Sequence, residues 1–231
     1  MKTVLVAGLT RSGTSMVMGL LNILGVHTPP SSARTFLHPT GHYEVQGNTN
    51  LFREMRKDFY DNMTLEEADK KYGGKFQAMG TLKREPAWAI KIRAGYYLPL
   101  FEKYLDNPHI IAVYREPVER TLSKIKHLEE SAKILDTIRK KKAVGFEYTE
   151  ATFTEGLIIT TENQALMARG LNSVSCPTMF TSYKWLKEKT MEQVERMASF
   201  LDLEVKNARR LSSFVKPDYS TIKEEKKNAR F

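Results

Sequence analysis

The 231 residues carry 36 Lys and Arg against 27 Asp and Glu, a formal charge of +9, with 41% hydrophobic and 10% aromatic side chains. This is enough apolar material for the core of one α/β domain, and 1–231 reads as a single domain. No apolar run approaches the roughly 18 residues of a membrane span, no small-residue cleavage site marks a signal peptide, and the single cysteine, Cys176, excludes an internal disulfide and fits a cytoplasmic protein.

The excess positive charge favours an anionic ligand. Neither a zinc spacing, a helix-turn-helix pattern nor a basic-aromatic repeat points to nucleic acid, so none is expected as a partner.

The chain opens on an unbroken apolar and β-branched run, Thr3 to Ala7, expected of a parallel strand covered on both faces. Gly8-Leu9-Thr10-Arg11-Ser12-Gly13-Thr14-Ser15 then leads into a helix with Val17, Leu20, Leu21 and Leu24 on its apolar side and Gly25 at its end. Two glycines between a strand and a helix let backbone N–H groups converge at the positive end of the helix, which makes an anion cradle.

The Walker pattern G-x-x-x-x-G-K-[ST] has a lysine after its second glycine, reaching the β and γ phosphates of a nucleoside triphosphate. Here Thr14 stands at that position and a cation appears inside the loop, at Arg11. Such a loop suits a phosphate bearing a second tetrahedral anion better than transfer of a γ-phosphoryl group.

The proline- and serine-rich stretch 26–34 reads as a surface loop leading to Gly41-His42-Tyr43-Glu44. A helix is expected near 49–59, with Leu51, Met55 and Phe59 on one face. Residues 61–84 are polar and contain Gly73-Gly74, and we expect a mobile, lid-like segment there. Trp88 to Ile92 is the second strand, followed by a helix over 97–105.

His109 to Tyr114 is the third strand, with Arg115-Glu116-Pro117 opening a helix, since proline is well tolerated at the first helical position. That helix is expected to run past Lys140, where the basic run 139–142 reads as a solvated face that complements the helix dipole. A helix over 155–169, a strand over 177–182 and a helix over 190–203, striped by Val194, Met197, Ala198 and Leu201, complete the pattern. The tail 222–231 is charged and expected to fray. Strands separated by helices mean an α/β fold of three layers, a central parallel sheet with helices on both faces.

If the strands run parallel, Arg115 emerges at the same sheet edge as the first loop, and Ser123 follows within the next helix. An arginine fork and a neutral hydroxyl donor there can converge on a second phosphate. Alternatively, Arg115 pairs with Glu119 and Ser123 is simply exposed.

Arg11-Ser12-Gly13-Thr14-Ser15, Arg115-Glu116-Pro117 with Ser123, and Tyr183-Lys184-Trp185-Leu186 with Phe200-Leu201-Asp202-Leu203 together resemble the sulfotransferases that use 3′-phosphoadenosine 5′-phosphosulfate (PAPS). The resemblance covers 2–203 and implies the P-loop-type fold. It implies that Arg11, Ser12, Gly13, Thr14 and Ser15 bind the 5′-phosphosulfate, and that Arg115 and Ser123 bind the 3′-phosphate. No metal is required. The family's glycine-rich basic segment near the carboxyl terminus is not recognisable, and Val215 to Tyr219 stands in its place.

Lys91, at the end of the second strand, is a candidate sulfate contact; related proteins often carry Lys-Asp-Pro-Arg where this chain has Lys91-Ile92-Arg93-Ala94. A lysine merely snorkelling from the strand end is the alternative. For the base that takes the acceptor proton, the family uses a histidine or a glutamate, and both His42 and Glu44 occur in a loop that can reach the phosphate site. The imidazole, with an ordinary pKa of about 6.5, accepts a proton near neutrality more readily than a carboxylate at about 4.3. Glu44 directly precedes the helical segment and is held more firmly, which slightly favours it, unless it only adds charge at the helix start.

The expected activity is sulfuryl transfer from PAPS to an acceptor hydroxyl or amine on a small molecule or glycan. The competitors are another P-loop enzyme, such as a small-molecule kinase, and a non-catalytic nucleotide-binding module. The kinase would need a carboxylate for Mg²⁺ at a strand end, and none of the apolar strands ends in Asp.

Overall fold

The computed structural model describes residues 2–29, 51, 54–55, 57–58, 61–80, 87–92, 97–139, 150–206 and 208–214. Four strands among them, β1 (Lys2–Gly8), β2 (Ala87–Ile92), β3 (Pro108–Tyr114) and β4 (Thr178–Ser182), form one parallel sheet in the order β2-β1-β3-β4. In register, Val6 lies opposite Lys91 and Ile111, and Tyr114 lies opposite Ser182.

Alternation along β1 sends Val4 and Val6 to one core and Leu5 and Ala7 to the other, all of them buried. That is why the run has no polar alternation: both faces are covered. The first core is closed by α1 (Thr14–Ile23), α6 (Tyr183–Glu188), α7 (Thr190–Leu201) and α8 (Ala208–Phe214). On the opposite face lie α2 (Leu65–Gly80), α3 (Leu98–Tyr104) and, through Met167 and Leu171, α5 (Glu150–Asn172). The remaining helix, α4 (Pro117–Arg139), follows β3 and packs on α5. The result is the three-layer α/β architecture expected from the strand and helix alternation.

Several element ends have identifiable chemistry. The end of α1 closes with Val26 N–H on the Leu21 carbonyl at 2.9 Å and Gly25 N–H on the Asn22 carbonyl at 3.2 Å, the paired bonds of a helix C-cap. Ser182 caps α6 by accepting from Trp185 N–H at 3.1 Å. Glu116 accepts from Val118 N–H at 2.9 Å and Glu119 N–H at 2.7 Å, closing the start of α4 with a carboxylate.

One expectation needs correction. Residues 65–80 of the stretch read as lid-like form α2, and Ala68, Tyr72 and Phe76 on it are fully buried. Their spacing of one helical turn puts them on a single stripe against the sheet. Two helices, α6 and α8, were not anticipated, and α5 starts at Glu150, earlier than expected. Residues 140–149, the tail 222–231 and the stretch with His42 and Glu44 lie outside the described residues.

Candidate functional site

All strands run parallel, so Gly8, Ile92, Tyr114 and Ser182 end at one edge of the sheet. The chain leaves β1 for β2 on one side and later returns to β3 on the other, so a crevice opens between the carboxyl ends of β1 and β3. The loop 9–13 and the start of α4 face each other across it.

The loop is bounded by two glycines whose lack of a side chain is structural. A Cβ on Gly8 would lie 2.7 Å from Ser12 Oγ and 2.9 Å from the Val113 carbonyl oxygen. Gly13 has φ 102° as the N-cap of α1, a conformation L side chains avoid, and a Cβ there would lie 2.9 Å from Tyr183 Cδ2. Met16 N–H bonds the Gly13 carbonyl at 2.9 Å, so the amides of Gly13, Thr14 and Ser15 have no acceptor within the helix and project from its positive end. Ser12 Oγ is buried and has no hydrogen-bond partner among the described residues. A tight backbone, first-turn amides with no acceptor inside the helix, and a hydroxyl without a partner among the described residues fit an anion such as a phosphate.

Side chains from three further elements close on this loop. Arg11 Nε donates to Ser123 Oγ at 3.2 Å, linking the loop to α4. Lys91 Nζ lies 3.3 Å from Ser15 Oγ and is itself only 9% exposed. Arg115 Nη1 donates to the Arg11 carbonyl at 3.0 Å, while its guanidinium carbon sits 4.2 Å from the centre of the Tyr183 ring. The face of that ring favours a cation. Arg115 Nε also lies 3.6 Å from a Glu119 carboxylate oxygen, so pairing with Glu119 and presence in the crevice occur together.

Thus Arg11, Ser12, Gly13, Thr14, Ser15, Lys91, Arg115 and Ser123 gather at one edge. Thr14 is buried, with its methyl group under Gly8, and projects less freely than Ser15. Three neighbours escaped the reading from sequence: Arg120 and Thr160, which meet behind the loop, and Gln164, whose amide donates to the Arg115 carbonyl at 2.7 Å. Arg120 had a readable signal, because it precedes Ser123 by three residues and shares its helix face.

The sheet order, the glycine-bounded loop and the crevice between β1 and β3 are those of an α/β protein of the P-loop type. The sulfotransferase domain family model matches residues 1–229, and the chain belongs to that family. Among solved structures it is similar to mouse sulfotransferase SULT7A1 complexed with PAP, at 14% identity and a TM-score of 0.51, over 96% of this chain and 66% of that one.

It also matches a sulfotransferase domain from the curacin biosynthetic pathway (14% identity, TM-score 0.49, 93% of this chain and 78% of that one). A third match is retinol dehydratase in complex with androsterone and inactive cofactor PAP (14%, 0.49, 93% and 64%). The chain therefore spans just under two thirds of the length of the mouse protein. No curated protein sequence is similar enough to count as a match.

Proposed function

We propose that the chain transfers the sulfuryl group of PAPS to an acceptor hydroxyl or amine, on a small molecule or glycan. The observation that carries this reading is the 3.2 Å contact between Arg11 and Ser123, because it unites the loop after β1 and the helix after β3 in one site. Membership of the sulfotransferase domain family supports it. When bound, PAPS supplies an activated sulfuryl group together with a leaving 5′-phosphate on which negative charge grows.

Arg11 and the amides of Gly13, Thr14 and Ser15 would hold the phosphosulfate end, as donors placed where that charge develops. Ser12 Oγ, with no partner among the described residues, would donate to it there. Lys91 Nζ, on the α1 side of the sheet next to Ser15, would orient the sulfate oxygens. Arg115 and Ser123 would hold the 3′-phosphate, the arginine by its planar fork. The Glu44 carboxylate, or else the His42 imidazole, would take the proton of the acceptor. Among the described residues no helix is long and apolar enough to cross a membrane; with one cysteine, the cytoplasm is the location proposed.

The test is transfer of radiolabelled sulfate from PAPS across a panel of hydroxyl and amine acceptors. With an active acceptor, Glu44→Gln lowers kcat by roughly 10²–10⁴ while nucleotide affinity stays close to wild type. Normal turnover in Glu44→Gln with loss in His42→Ala assigns the base to the histidine, and full activity in both variants removes the two from that role.

A further inference from the structure

We propose that Arg120 is a positioning residue for the phosphate loop, a cation inside the fold that holds the loop peptide in the shape that receives the anion. The inference rests on the sulfotransferase reading for the identity of the anion, but not for the geometry.

Two arginines of one helix start grip consecutive loop carbonyls. Arg115 takes the Arg11 carbonyl at 3.0 Å, and Arg120 Nε takes the Thr10 carbonyl at 2.9 Å. A trans peptide carries its C=O and N–H on opposite sides, so holding the Thr10 carbonyl toward α4 sets the direction of the Arg11 N–H. The same peptide leads into Arg11, whose φ of 71° is a left-handed conformation unfavourable for a residue with a side chain. Such a conformation persists where its surroundings over-determine it, and Arg120 supplies one of the holding bonds.

Arg120 is only 5% exposed, and its other arm reaches away from the site. Its Nη1 donates to Thr160 Oγ1 on α5. Thr160 is fully buried; it bonds the Gly156 carbonyl at 2.7 Å and shares a 3.0 Å hydroxyl contact with Thr121. A path of hydrogen bonds thus runs from the backbone of α5 through Thr160 and Arg120 to the loop. A guanidinium can span both acceptors because its donors form a rigid fork. A lysine keeps the charge but offers a single nitrogen at the end of a flexible stem.

The test uses the full chain and two readouts: hydrogen–deuterium exchange of the ligand-free loop amides over 10–15, and calorimetric affinity for adenosine 3′,5′-bisphosphate. In Arg120→Lys the loop amides exchange roughly tenfold faster or more, while β1 and β3 keep their protection, and nucleotide affinity falls by a similar factor. Thr160→Val, which removes the acceptor behind Arg120 along with that hydroxyl's contacts to Gly156 and Thr121, leaves Arg120 and its bond to Thr10 in place and shifts both readouts in the same direction by a smaller factor.

The proposal is overturned if a folded variant keeps wild-type loop exchange and affinity, or if exchange rises equally across α4, α5 and β3, as for simple core glue. Should Arg120→Lys fail to fold, Thr160→Val decides by the same criteria. Absence of bisphosphate binding in the wild type would defeat the sulfotransferase reading, and the exchange data would still decide the role of Arg120.

Discussion

Gly13 combines two constraints at one atom, since an added Cβ would meet both an unfavourable backbone at φ 102° and the Tyr183 ring at 2.9 Å. Gly13→Ala is expected to lose at least about 1 kcal/mol of stability from the backbone alone. It should also weaken nucleotide binding, because Tyr183 carries Arg115 on its face. Thermal melting and calorimetric titration of the variant check both effects, and native values in both would remove the constraint. Much of the candidate site was legible: Arg11, Ser12, Gly13 and Arg115 stand where a buried strand turns into a helix, and Ser123 follows inside the helix after Arg115, a context visible in local sequence. Sequence placed Arg120 only on the helix face of Ser123, and Thr160 not at all, because the bond between them depends on how α4 packs against α5.

Helix α2 shows how composition can mislead at the scale of an element. Its sequence is polar and holds Gly73-Gly74, yet it begins with a reciprocal cap: Thr64 N–H to Glu67 Oε2 at 2.8 Å, and Glu67 N–H to Thr64 Oγ1 at 3.2 Å. That Thr-x-x-Glu signal and the stripe of Ala68, Tyr72 and Phe76 are both readable in the sequence. The stripe is narrow, so average polarity hid it. Phe76 is fully buried, with its ring edge-on to Phe101 at 4.6 Å between centroids. Phe76→Ala is therefore expected to cost about 3–5 kcal/mol in chemical denaturation, whereas a loosely packed segment would lose little.

Helix α3 is tied to the approach to β4 by Glu102, which accepts from Ser175 N–H at 2.8 Å, Cys176 N–H at 2.7 Å and the Ser175 hydroxyl at 2.7 Å. These bonds, the hydroxyl first, hold the Glu102 carboxyl below its ordinary value of 4.5. A carboxyl lowered in the folded state contributes stability that is complete above its unfolded pKa and is lost as pH falls through the folded one. Melting curves of Glu102→Gln and wild type should accordingly differ at pH 7 and converge as the pH is taken below about 4. A gap that stays constant with pH would contradict this.

For the whole molecule, a parallel sheet between helices was readable from alternating apolar runs, but the strand order was not. The order β2-β1-β3-β4 depends on which strands pair across long stretches of chain, and it places the crevice between β1 and β3. That order unites a loop near residue 11 with a helix near residue 120, the juxtaposition on which the proposed nucleotide site depends.

The most direct measurement of the central claim is calorimetric titration of the full chain with adenosine 3′,5′-bisphosphate, adenosine 5′-monophosphate and ATP with Mg²⁺, repeated on Arg115→Ala. Tightest binding is expected for the bisphosphate, with most of its advantage over the monophosphate lost in the variant, a change of roughly 1.5–3 kcal/mol for a charge-assisted contact. Tighter binding of ATP with Mg²⁺, or undiminished discrimination by Arg115→Ala, would contradict it.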